Sequence, residues 1–399
     1  MSLNNTPSAE RIHIGFFGLR NAGKSSLVNA VTGQELSVVS DVLGTTTDPV
    51  KKAMELLPLG PVVIIDTPGF DDTGTLGELR VKKTRKVLAS VDIAVLVVDA
   101  SKGKTEDDLT LINLFNERKI PFIIAYNKAD LASADINNKN EILVSAKDNK
   151  NIGELKELMA SLLKSKEEKF ILADLVEAGD TVVLVTPIDE SAPKGRLILP
   201  QQQTLRELLD LHCKPILCQP QELKATLENF KVKPGLVITD SQVFGVVSKD
   251  VPEDINLTSF SILFARYKGD LETLIQGAAV LKTLKDGDKV LISEGCTHHR
   301  QCGDIGTVKL PKWIKDFTGK NIEFSFTSGG DFPEELGEFA LVVHCGGCML
   351  NNREMAYRLN MAKAEGTPIV NYGVLIAHIH GILKKSLSPF KNLSAMLED

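Results

Sequence analysis

The chain lacks the features that mark several classes of protein. It has no apolar run near the roughly 18 to 20 residues that a bilayer span needs, and its strongest run, at 93–98, has the length of a buried strand. It has no basic excess, with 46 Lys and Arg against 52 Asp and Glu, so no chain-wide field favours nucleic acid. Its polar N-terminus shows no signal-sequence core. These absences predict a soluble cytoplasmic protein with neither nucleic acid nor membrane as partner.

The composition is that of a folded protein with more than one domain. The chain has 399 residues and is 43% hydrophobic, which is enough for two or three cores at about 150 residues per domain and excludes a disordered or fibrous chain. No internal repeat or low-complexity tract is present. Six cysteines in a chain of this length indicate metal or redox chemistry rather than a disulfide framework.

Short apolar runs alternate with helical patterns along the chain, which predicts an α/β fold with mostly parallel sheets. The predicted strands lie at 12–17, 61–65, 93–98, 121–125, 141–144, 181–185, 215–217, 235–238, 289–292, 339–344 and 368–370. Helices are predicted at 26–31 and 202–212, and a further helix pattern begins around 267–270. Charged residues at 161–169 indicate either the end of a helix or a linker. We therefore expect three α/β domains, at 1–168, 169–266 and 267–399.

A phosphate-binding loop follows the first predicted strand. The segment from Gly18 to Ser25 fits the pattern G-x-x-x-x-G-K-[ST], with a strand before it and a helix after it. Such a loop wraps backbone N–H groups around a β-phosphate, while Lys24 neutralises phosphate oxygens and Ser25 binds Mg²⁺. The predicted phosphate-binding residues are Asn21, Ala22, Gly23, Lys24, Ser25 and Ser26.

Three further motifs follow later strands and point to a guanine nucleotide. Asp66 begins D-T-P-G, where Asp66 would hold Mg²⁺ and the Gly69 N–H would sense the γ-phosphate. Asp130 ends N-K-A-D, and its carboxylate can accept from N1–H and the 2-amino group of guanine, a donor pair that adenine lacks. The predicted base-binding residues are Asn127, Lys128, Asp130, Ser145, Ala146 and Lys147. Together the four motifs predict a P-loop GTPase domain.

This motif set resembles the TrmE–Era–EngA group of GTPases over residues 11–166. The resemblance implies that Thr46, in a Thr-rich switch loop, is a second Mg²⁺ ligand, although this stretch could also be an ordinary polar loop. Phe70 stands where Ras-like proteins place the glutamine that orients water, so we expect slow intrinsic hydrolysis. Members with an asparagine at the position of Asn21 use a potassium ion; the alternative is an asparagine that only braces the loop.

The last segment carries clustered cysteines at two strand ends. Cys296 follows the strand at 289–292, and Cys345 and Cys348 follow the strand at 339–344. Ends of parallel strands share one sheet edge, where such sheets bind ligands. Glycines between Cys345 and Cys348 leave N–H groups free for an inorganic sulfide, and Asn351 looks like a helix N-cap. The pattern predicts an iron–sulfur site. Zinc, or buried structural cysteines without metal, are the alternatives.

The combination of this GTPase set with C-x-H and H-C-x-x-C resembles the HydF family, the GTPase maturation factors of [FeFe]-hydrogenase, over essentially the whole chain. The segments at 191–201, 237–243 and 371–373 also resemble that family. The resemblance implies a dimerisation domain at 169–266 and a cluster-binding domain at 267–399. It also implies a [4Fe-4S] cluster on Cys296, Cys345 and Cys348, with one iron left exchangeable.

The family resemblance further implies a scaffold and carrier. A di-iron subcluster precursor, made with the radical-SAM maturases HydE and HydG, would be held there and delivered to apo [FeFe]-hydrogenase, with GTP hydrolysis governing these encounters and a homodimer as the working form. Candidates for the fourth cluster ligand are His298, Asp304, His344 and Cys302, and each histidine could instead donate a hydrogen bond from outside the ligand set.

Two rival functions stay open from the sequence. One is a zinc-stabilised regulatory GTPase, and the other is a ribosome- or tRNA-associated GTPase, which the acidic net charge of -6 disfavours. Cys213, Cys218 and Cys302 lack a glycine-turn context and are expected to be core or surface thiols.

Overall fold

The structure is a computed structural model, and it describes residues 6–35, 49–70, 75–163, 169–188, 197–295 and 304–395. The chain forms two compact units, Met1–Glu167 and Glu168–Asp399. The first predicted boundary, at 168/169, lies beside this division, whereas the second, at 266/267, falls inside the second unit. Among the described helices, none combines the length and apolar character that crossing a membrane requires.

The first unit is built on one six-stranded sheet. Its strands are β1 (Ile12–Phe17), β2 (Val50–Leu56), β3 (Gly60–Asp66), β4 (Ile93–Asp99), β5 (Phe122–Asn127) and β6 (Glu141–Leu143). Their order is β2-β3-β1-β4-β5-β6, with β2 antiparallel to β3 and every other pair parallel. All seven residues of β4 are buried, as expected of a central parallel strand covered on both faces.

Helices cover both faces of this sheet. They are α1 (Lys24–Thr32), α2 (Thr75–Leu88), α3 (Glu106–Glu117) and α4 (Ile152–Leu163). The start of α3 is fixed by a capping box, in which the Thr105 hydroxyl accepts the Asp108 N–H and the Asp108 carboxylate accepts the Thr105 N–H. Phe115 of α3 is fully buried, with its ring centroid 5.4 Å from that of Phe17 and 5.5 Å from that of Phe122.

The second unit contains two four-stranded parallel sheets. The first has β7 (Thr181–Val185), β8 (Lys214–Cys218), β9 (Leu236–Thr239) and β10 (Asn256–Ser259), in the order β10-β9-β7-β8. The second has β11 (Lys289–Glu294), β12 (Glu323–Ser328), β13 (Leu341–His344) and β14 (Ile369–Asn371), in the order β12-β11-β13-β14.

Ten helices connect these strands and cover their faces in the described part of the second unit. They are α5 (Leu199–Asp210), α6 (Leu223–Glu228), α7 (Phe244–Asp250), α8 (Phe260–Lys268), α9 (Leu271–Ala279), α10 (Leu310–Thr318), α11 (Asn352–Ala364), α12 (Tyr372–Ile379), α13 (Leu383–Ser386) and α14 (Lys391–Ala395). A π-helical turn at Ile305–Lys309 precedes α10.

The two sheets of the second unit share one hydrophobic core, which contains Leu184 and Ile238 of the first sheet and Val342 of the second. The C-terminal part of the chain also contacts the end of α7. Lys385 Nζ donates to the carbonyls of Ser248 (2.7 Å) and Val251 (3.2 Å). These contacts explain why 169–395 forms one compact unit.

Every predicted strand has a counterpart whose ends lie within about two residues of the prediction. The strands that the apolar pattern missed are β2, β10 and β12, and each is at one edge of its sheet. Much of β2 and β12 is exposed, and their polar residues hide the apolar signal. Strand β10 is mostly buried but is short and has a single apolar residue, Leu257. Helix α5 begins three residues before the predicted 202, because Pro200 is tolerated in a first helical turn.

The packing of Phe115 gives a stability prediction. Phe115→Ala removes a fully buried ring and leaves a cavity, so the free energy of unfolding should fall by about 3–5 kcal/mol in urea denaturation. Leu109→Ala, on the same helix but 49% exposed, serves as the control and should cost less than about 1 kcal/mol. Equal losses for the two variants would contradict the assigned packing of α3.

Candidate functional site

The phosphate-binding loop lies between β1 and α1, as the motif predicts. Gly23 caps α1 in the left-handed region at φ 86°, and a Cβ there would collide with the Asn127 side-chain amide. Lys24 is buried, and its Nζ donates to the carbonyls of Gly18 (3.0 Å) and Leu19 (2.7 Å). These two hydrogen bonds hold the Lys24 ammonium against the predicted phosphate-binding loop.

Ser25 and Asp66 meet as the expected magnesium donors. Ser25 Oγ donates to Asp66 Oδ2 at 2.7 Å, and Asp66 is buried. Its other oxygen, Oδ1, is buried and accepts no hydrogen bond from the described residues. A carboxylate oxygen in this state, beside a hydroxyl, fits a hard divalent cation. Thr46, the other predicted Mg²⁺ ligand, lies outside the described residues.

The segment after Asp66 packs against the phosphate loop. The Phe70 N–H donates to the Gly18 carbonyl at 3.4 Å, and the Phe70 side chain is buried in the core that contains Ile65 and Leu96. The residue after Gly69 therefore offers a core ring rather than a polar group that could orient water.

The base-recognition motifs converge through Asn127. Its Nδ2 donates to the Ala22 carbonyl at 3.0 Å, and its Oδ1 accepts the Ala146 N–H at 3.0 Å. Asp130 Oδ1 accepts the Ser145 hydroxyl at 2.9 Å. The structure thus brings together three motifs that are far apart in the sequence.

The remaining predicted nucleotide residues are on the same surface. Lys147 Nζ lies 4.0 Å from Asp130 Oδ2. Asn21 is exposed with φ 59°, and Ser26 is half-buried in the first turn of α1. Asn21 is therefore a solvent-accessible residue of the phosphate-binding loop.

Asp99 is a site residue that the motif search missed. Lys128, at φ 68°, places its Nζ 2.6 Å from Asp99 Oδ2. Burial acts to raise the pKa of Asp99, but hydrogen bonds from Lys128 and Ser101 outweigh it and hold that pKa below its usual range. The position directly after the predicted strand at 93–98 was the signal that could have identified it.

The second candidate site lies where β11 and β13 end side by side. Ser293 is paired with His344, and the Cys345 N–H donates to the Ser293 carbonyl at 2.9 Å. The Gly295 N–H donates to Cys345 Sγ at 3.0 Å. Strand connections leave this point in opposite directions, to β12 and to β14, which makes it the switch point where open α/β sheets bind ligands. Cys296, next to Gly295, lies outside the described residues.

The loop after Cys345 keeps its thiol in contact with backbone N–H groups. Gly347 adopts φ 62°, where a side chain would collide with Met355, and its N–H lies 3.4 Å from Cys345 Sγ. Cys348 follows and is partly exposed. The predicted N-cap is confirmed, because Asn351 Oδ1 accepts the Glu354 N–H at 2.9 Å at the start of α11.

His344 uses both ring nitrogens for hydrogen bonds. Nδ1 lies 2.7 Å from the Cys345 carbonyl and Nε2 lies 2.9 Å from the guanidinium of Arg358. Because a guanidinium only donates, Nε2 accepts and the ring proton is on Nδ1. Burial, and next the charge of Arg358, lowers the pKa of His344 to about 3. Because both nitrogens of the neutral ring make hydrogen bonds, neither is available to bind a metal in this arrangement.

Asp304 and two further residues complete the surroundings. Asp304 Oδ2 accepts the Thr307 N–H at 2.9 Å and so caps the π-helical turn. Tyr372 donates to Glu294 Oε1 at 3.3 Å, and burial, followed by the charges of Glu294 and Cys345, raises the pKa of Tyr372. His298 and Cys302, the other candidates for the fourth ligand, lie outside the described residues.

The hydrogen bonds to Cys345 Sγ are of the kind that a cluster thiolate accepts. A sulfur that accepts two backbone N–H groups is the setting in which cluster thiolates are held. In the described ranges no three His, Cys, Asp or Glu side chains are grouped to hold a metal ion, and Cys296 is not among those residues. Cys213 and Cys218, at the two ends of β8, are buried in the core, and burial raises the pKa of both thiols.

Nothing in the sequence indicates that two basic residues near the cysteine edge are buried. Lys268 and Arg358 are 4% and 1% exposed. A lysine at the end of one helix and an arginine in the middle of another are indistinguishable in the sequence from solvated surface residues, because only the tertiary packing buries them.

Three family models match successive segments of the chain. Residues 13–128 match the family model described as a 50S ribosome-binding GTPase. Residues 171–269 match the hydrogen maturase F dimerization domain, and residues 272–389 match the hydrogen maturase F tetramerization domain. The predicted cluster-binding domain, 267–399, thus contains the segment that matches a tetramerization domain.

Two curated relatives each match about a third of this chain. GTPase Der of Maridesulfovibrio salexigens is 41% identical over 130 residues, 31% of this chain and 28% of that protein. The tRNA modification GTPase MnmE of Carboxydothermus hydrogenoformans is 40% identical over 121 residues, 30% of this chain and 26% of that protein. The chain therefore spans about a quarter of the length of these relatives.

Among solved structures, Aquifex aeolicus Era bound to GDP and AlF4⁻ aligns with 52% of this chain and 92% of its own, with 20% identity and a TM-score of 0.34.

The two hydrogen maturase F models together match more than half of the chain, next to a GTPase domain. The chain therefore belongs to the hydrogen maturase F (HydF) family.

Proposed function

We propose that the chain is a slow, potassium-stimulated GTPase that also holds a [4Fe-4S] cluster and carries a di-iron subcluster precursor to apo [FeFe]-hydrogenase. The observation that carries this proposal is the Cys345 thiol, which accepts N–H groups from Gly295 and Gly347 in a chain whose first unit has a complete set of guanine-nucleotide motifs. Membership of the HydF family supports the maturation role.

In the first unit, the residues divide the work of nucleotide binding. Lys24 and the N–H groups of the loop hold phosphate oxygens, and Ser25 with Asp66 holds Mg²⁺. Asp130 accepts from the guanine edge, while Asn127 ties the base-binding loop to the phosphate loop. Since Phe70 is packed in the core, no side chain at that position orients the attacking water, and hydrolysis should be slow.

In the second unit, Cys296, Cys345 and Cys348 would hold the cluster, leaving one position for an exchangeable ligand. When bound, such a cluster supplies an iron site that can bind a ligand of the cargo. The chain's own residues keep the thiols in place: Gly295 and Gly347 donate to Cys345 Sγ, and His344 donates to the Cys345 carbonyl. His298, Cys302 and Asp304 stay predictions for the fourth position, whereas both ring nitrogens of His344 make hydrogen bonds in this structure.

The partners proposed are the maturases HydE and HydG, apo [FeFe]-hydrogenase and further copies of the chain. The descriptions of the two HydF domains by dimerisation and tetramerisation support an oligomer. GTP hydrolysis would change partner encounters rather than drive cargo chemistry, as in switch GTPases whose loops respond to the γ-phosphate.

Guanine recognition by Asp130 predicts a specificity change. Asp130→Asn replaces a carboxylate that accepts two hydrogen bonds, each contributing about 1.5–3 kcal/mol when charged, so GTP binding should weaken at least about tenfold in an equilibrium titration. Xanthosine triphosphate, which has an acceptor in place of the 2-amino group, should bind the variant better than GTP. Asp135→Asn, an exposed aspartate in the same loop, is the control. Unchanged GTP affinity in Asp130→Asn would refute the assignment.

Asn21 predicts a cation dependence of hydrolysis. The GTPase rate should be roughly tenfold or more higher in KCl than in NaCl at equal ionic strength, because a bound cation offsets transition-state charge as an arginine finger does. Asn21→Ala should remove the difference, whereas Asn113→Ala, exposed on α3, should keep it. Equal wild-type rates in the two salts would count against the potassium site.

The cluster proposal is tested by metal analysis. Anaerobically reconstituted protein should contain about four iron and four sulfide per chain, the content of one [4Fe-4S] cluster. Cys345→Ala should lose most of both, because it removes the thiol that accepts two N–H groups, while Cys213→Ala, a buried thiol far from the motif, should retain them. Tightly bound zinc without labile sulfide in the wild type would exclude the carrier function.

A further inference from the structure

Lys268 is a buried lysine that binds the cysteine loop. It ends α8, is only 4% exposed, and its Nζ donates to the carbonyls of Gly347 (3.0 Å), Cys348 (3.3 Å) and Leu350 (3.0 Å). One ammonium group therefore binds three of the four carbonyls in the segment 347–350, which contains the second cysteine of the C-x-x-C motif. The loop around Cys348 is shaped around this cation.

A second buried cation fixes the beginning of the same loop. Arg358 donates to His344 Nε2 at 2.9 Å, to the Gly329 carbonyl at 2.7 Å and to Glu354 Oε1 at 2.6 Å. Glu354 partly neutralises Arg358, and His344 passes the contact on to the Cys345 carbonyl. Arg358 therefore orients the Cys345 end, while Lys268 directly contacts the Cys348 end.

The contacts of Lys268 indicate its charged form. Three carbonyl acceptors around one Nζ match the three N–H donors of an ammonium group. A [4Fe-4S] cluster on thiolates is anionic, and each added electron makes it more so, so a fixed positive charge beside its loop favours both binding and reduction.

The rest of the unit offers a direct comparison. Lys385 also donates to two carbonyls, those of Ser248 and Val251, but its side chain is 26% exposed and it pairs with Glu253 at 3.3 Å. Lys385 thus connects α13 with the end of α7, whereas Lys268 contacts the cysteine loop. The two lysines share the carbonyl contacts and differ in burial and location.

From these contacts we propose that Lys268 is a positioning residue of the cluster site, which fixes the Cys348 loop and supplies a buried positive charge that tightens cluster binding and raises its reduction potential. This inference rests on the proposed function, because it presupposes that the cysteines hold a [4Fe-4S] cluster.

The experiment compares Lys268→Met, Lys268→Gln and Lys268→Arg with wild type and with Lys385→Met, all as full-length reconstituted protein. Iron loss to an excess of an iron chelator gives the stability of cluster binding, and an EPR-monitored redox titration gives the reduction potential. Loss of a residue that orients metal ligands typically costs 10- to 100-fold, so iron should leave Lys268→Met at least about tenfold faster than it leaves wild type.

The reduction potential of the cluster distinguishes an effect of the Lys268 charge from an effect of its packing. Lys268→Met and Lys268→Gln should both have a more negative potential than wild type, although glutamine keeps a donor for the carbonyls, while Lys268→Arg should stay close to wild type. Lys385→Met should match wild type in both measurements. If Lys268→Met does not fold, Lys268→Gln and Lys268→Arg carry the comparison.

The outcomes distinguish the two proposals. Wild type without a [4Fe-4S] signal overturns the proposed function, and this inference with it. A wild-type cluster whose potential and chelation rate are unchanged in Lys268→Met or Lys268→Gln overturns the role of Lys268 and leaves the proposed function standing.

Discussion

The parallel pairing of β11 with β13 is the constraint on which the cysteine site depends. Ser293 lies opposite His344, and the Cys345 N–H donates to the Ser293 carbonyl, so the two strands end together. Because both strands run in one direction, the loops that follow them leave from the same edge. Two segments 50 positions apart thus meet, with the Gly295 N–H on Cys345 Sγ. The first unit uses the same device to place Asp66, at the end of β3, beside Ser25.

Around the cysteine edge, two buried basic residues and their hydrogen bonds support the proposal of an anionic cluster. The guanidinium of Arg358 packs 5.1 Å from the Phe332 ring centroid and donates to His344, which stays neutral because its pKa is lowered to about 3. Lys268 donates to three carbonyls of the loop that contains Cys348. Buried polar groups of this kind have to be satisfied together, since one unpaired member costs more than the network gains.

Much of the fold and half of the site could be predicted from the sequence, for identifiable reasons. Strands such as β1 and β4 are continuous apolar runs because parallel sheets bury them on both faces, and loop motifs such as Gly18–Ser25 keep fixed spacing because backbone N–H groups do the binding. Edge strands such as β12 escaped, since solvent exposure removes the apolar pattern. Asn351 was recognisable as a cap because its partner is three residues away.

The long-range partners could not be predicted. Nothing near Lys268 in the sequence indicates that its ammonium meets carbonyls about 80 residues later, and His344 next to Cys345 looks like a ligand until Arg358 is found on its Nε2. Such contacts depend on how helices α8 and α11 pack on the sheet, which local patterns do not encode. The same limit explains Asp99, whose role is visible only through Lys128.

The proposed function requires one chain to combine a GTPase domain with a four-iron cluster on three cysteines. Mössbauer spectroscopy of the full-length protein reconstituted with ⁵⁷Fe can test for this cluster, because it reports cluster type and the equivalence of the iron sites. We expect a [4Fe-4S] spectrum in which one iron differs from the three that bind thiolate. A spectrum without a four-iron cluster, or four equivalent thiolate-bound irons, would contradict it.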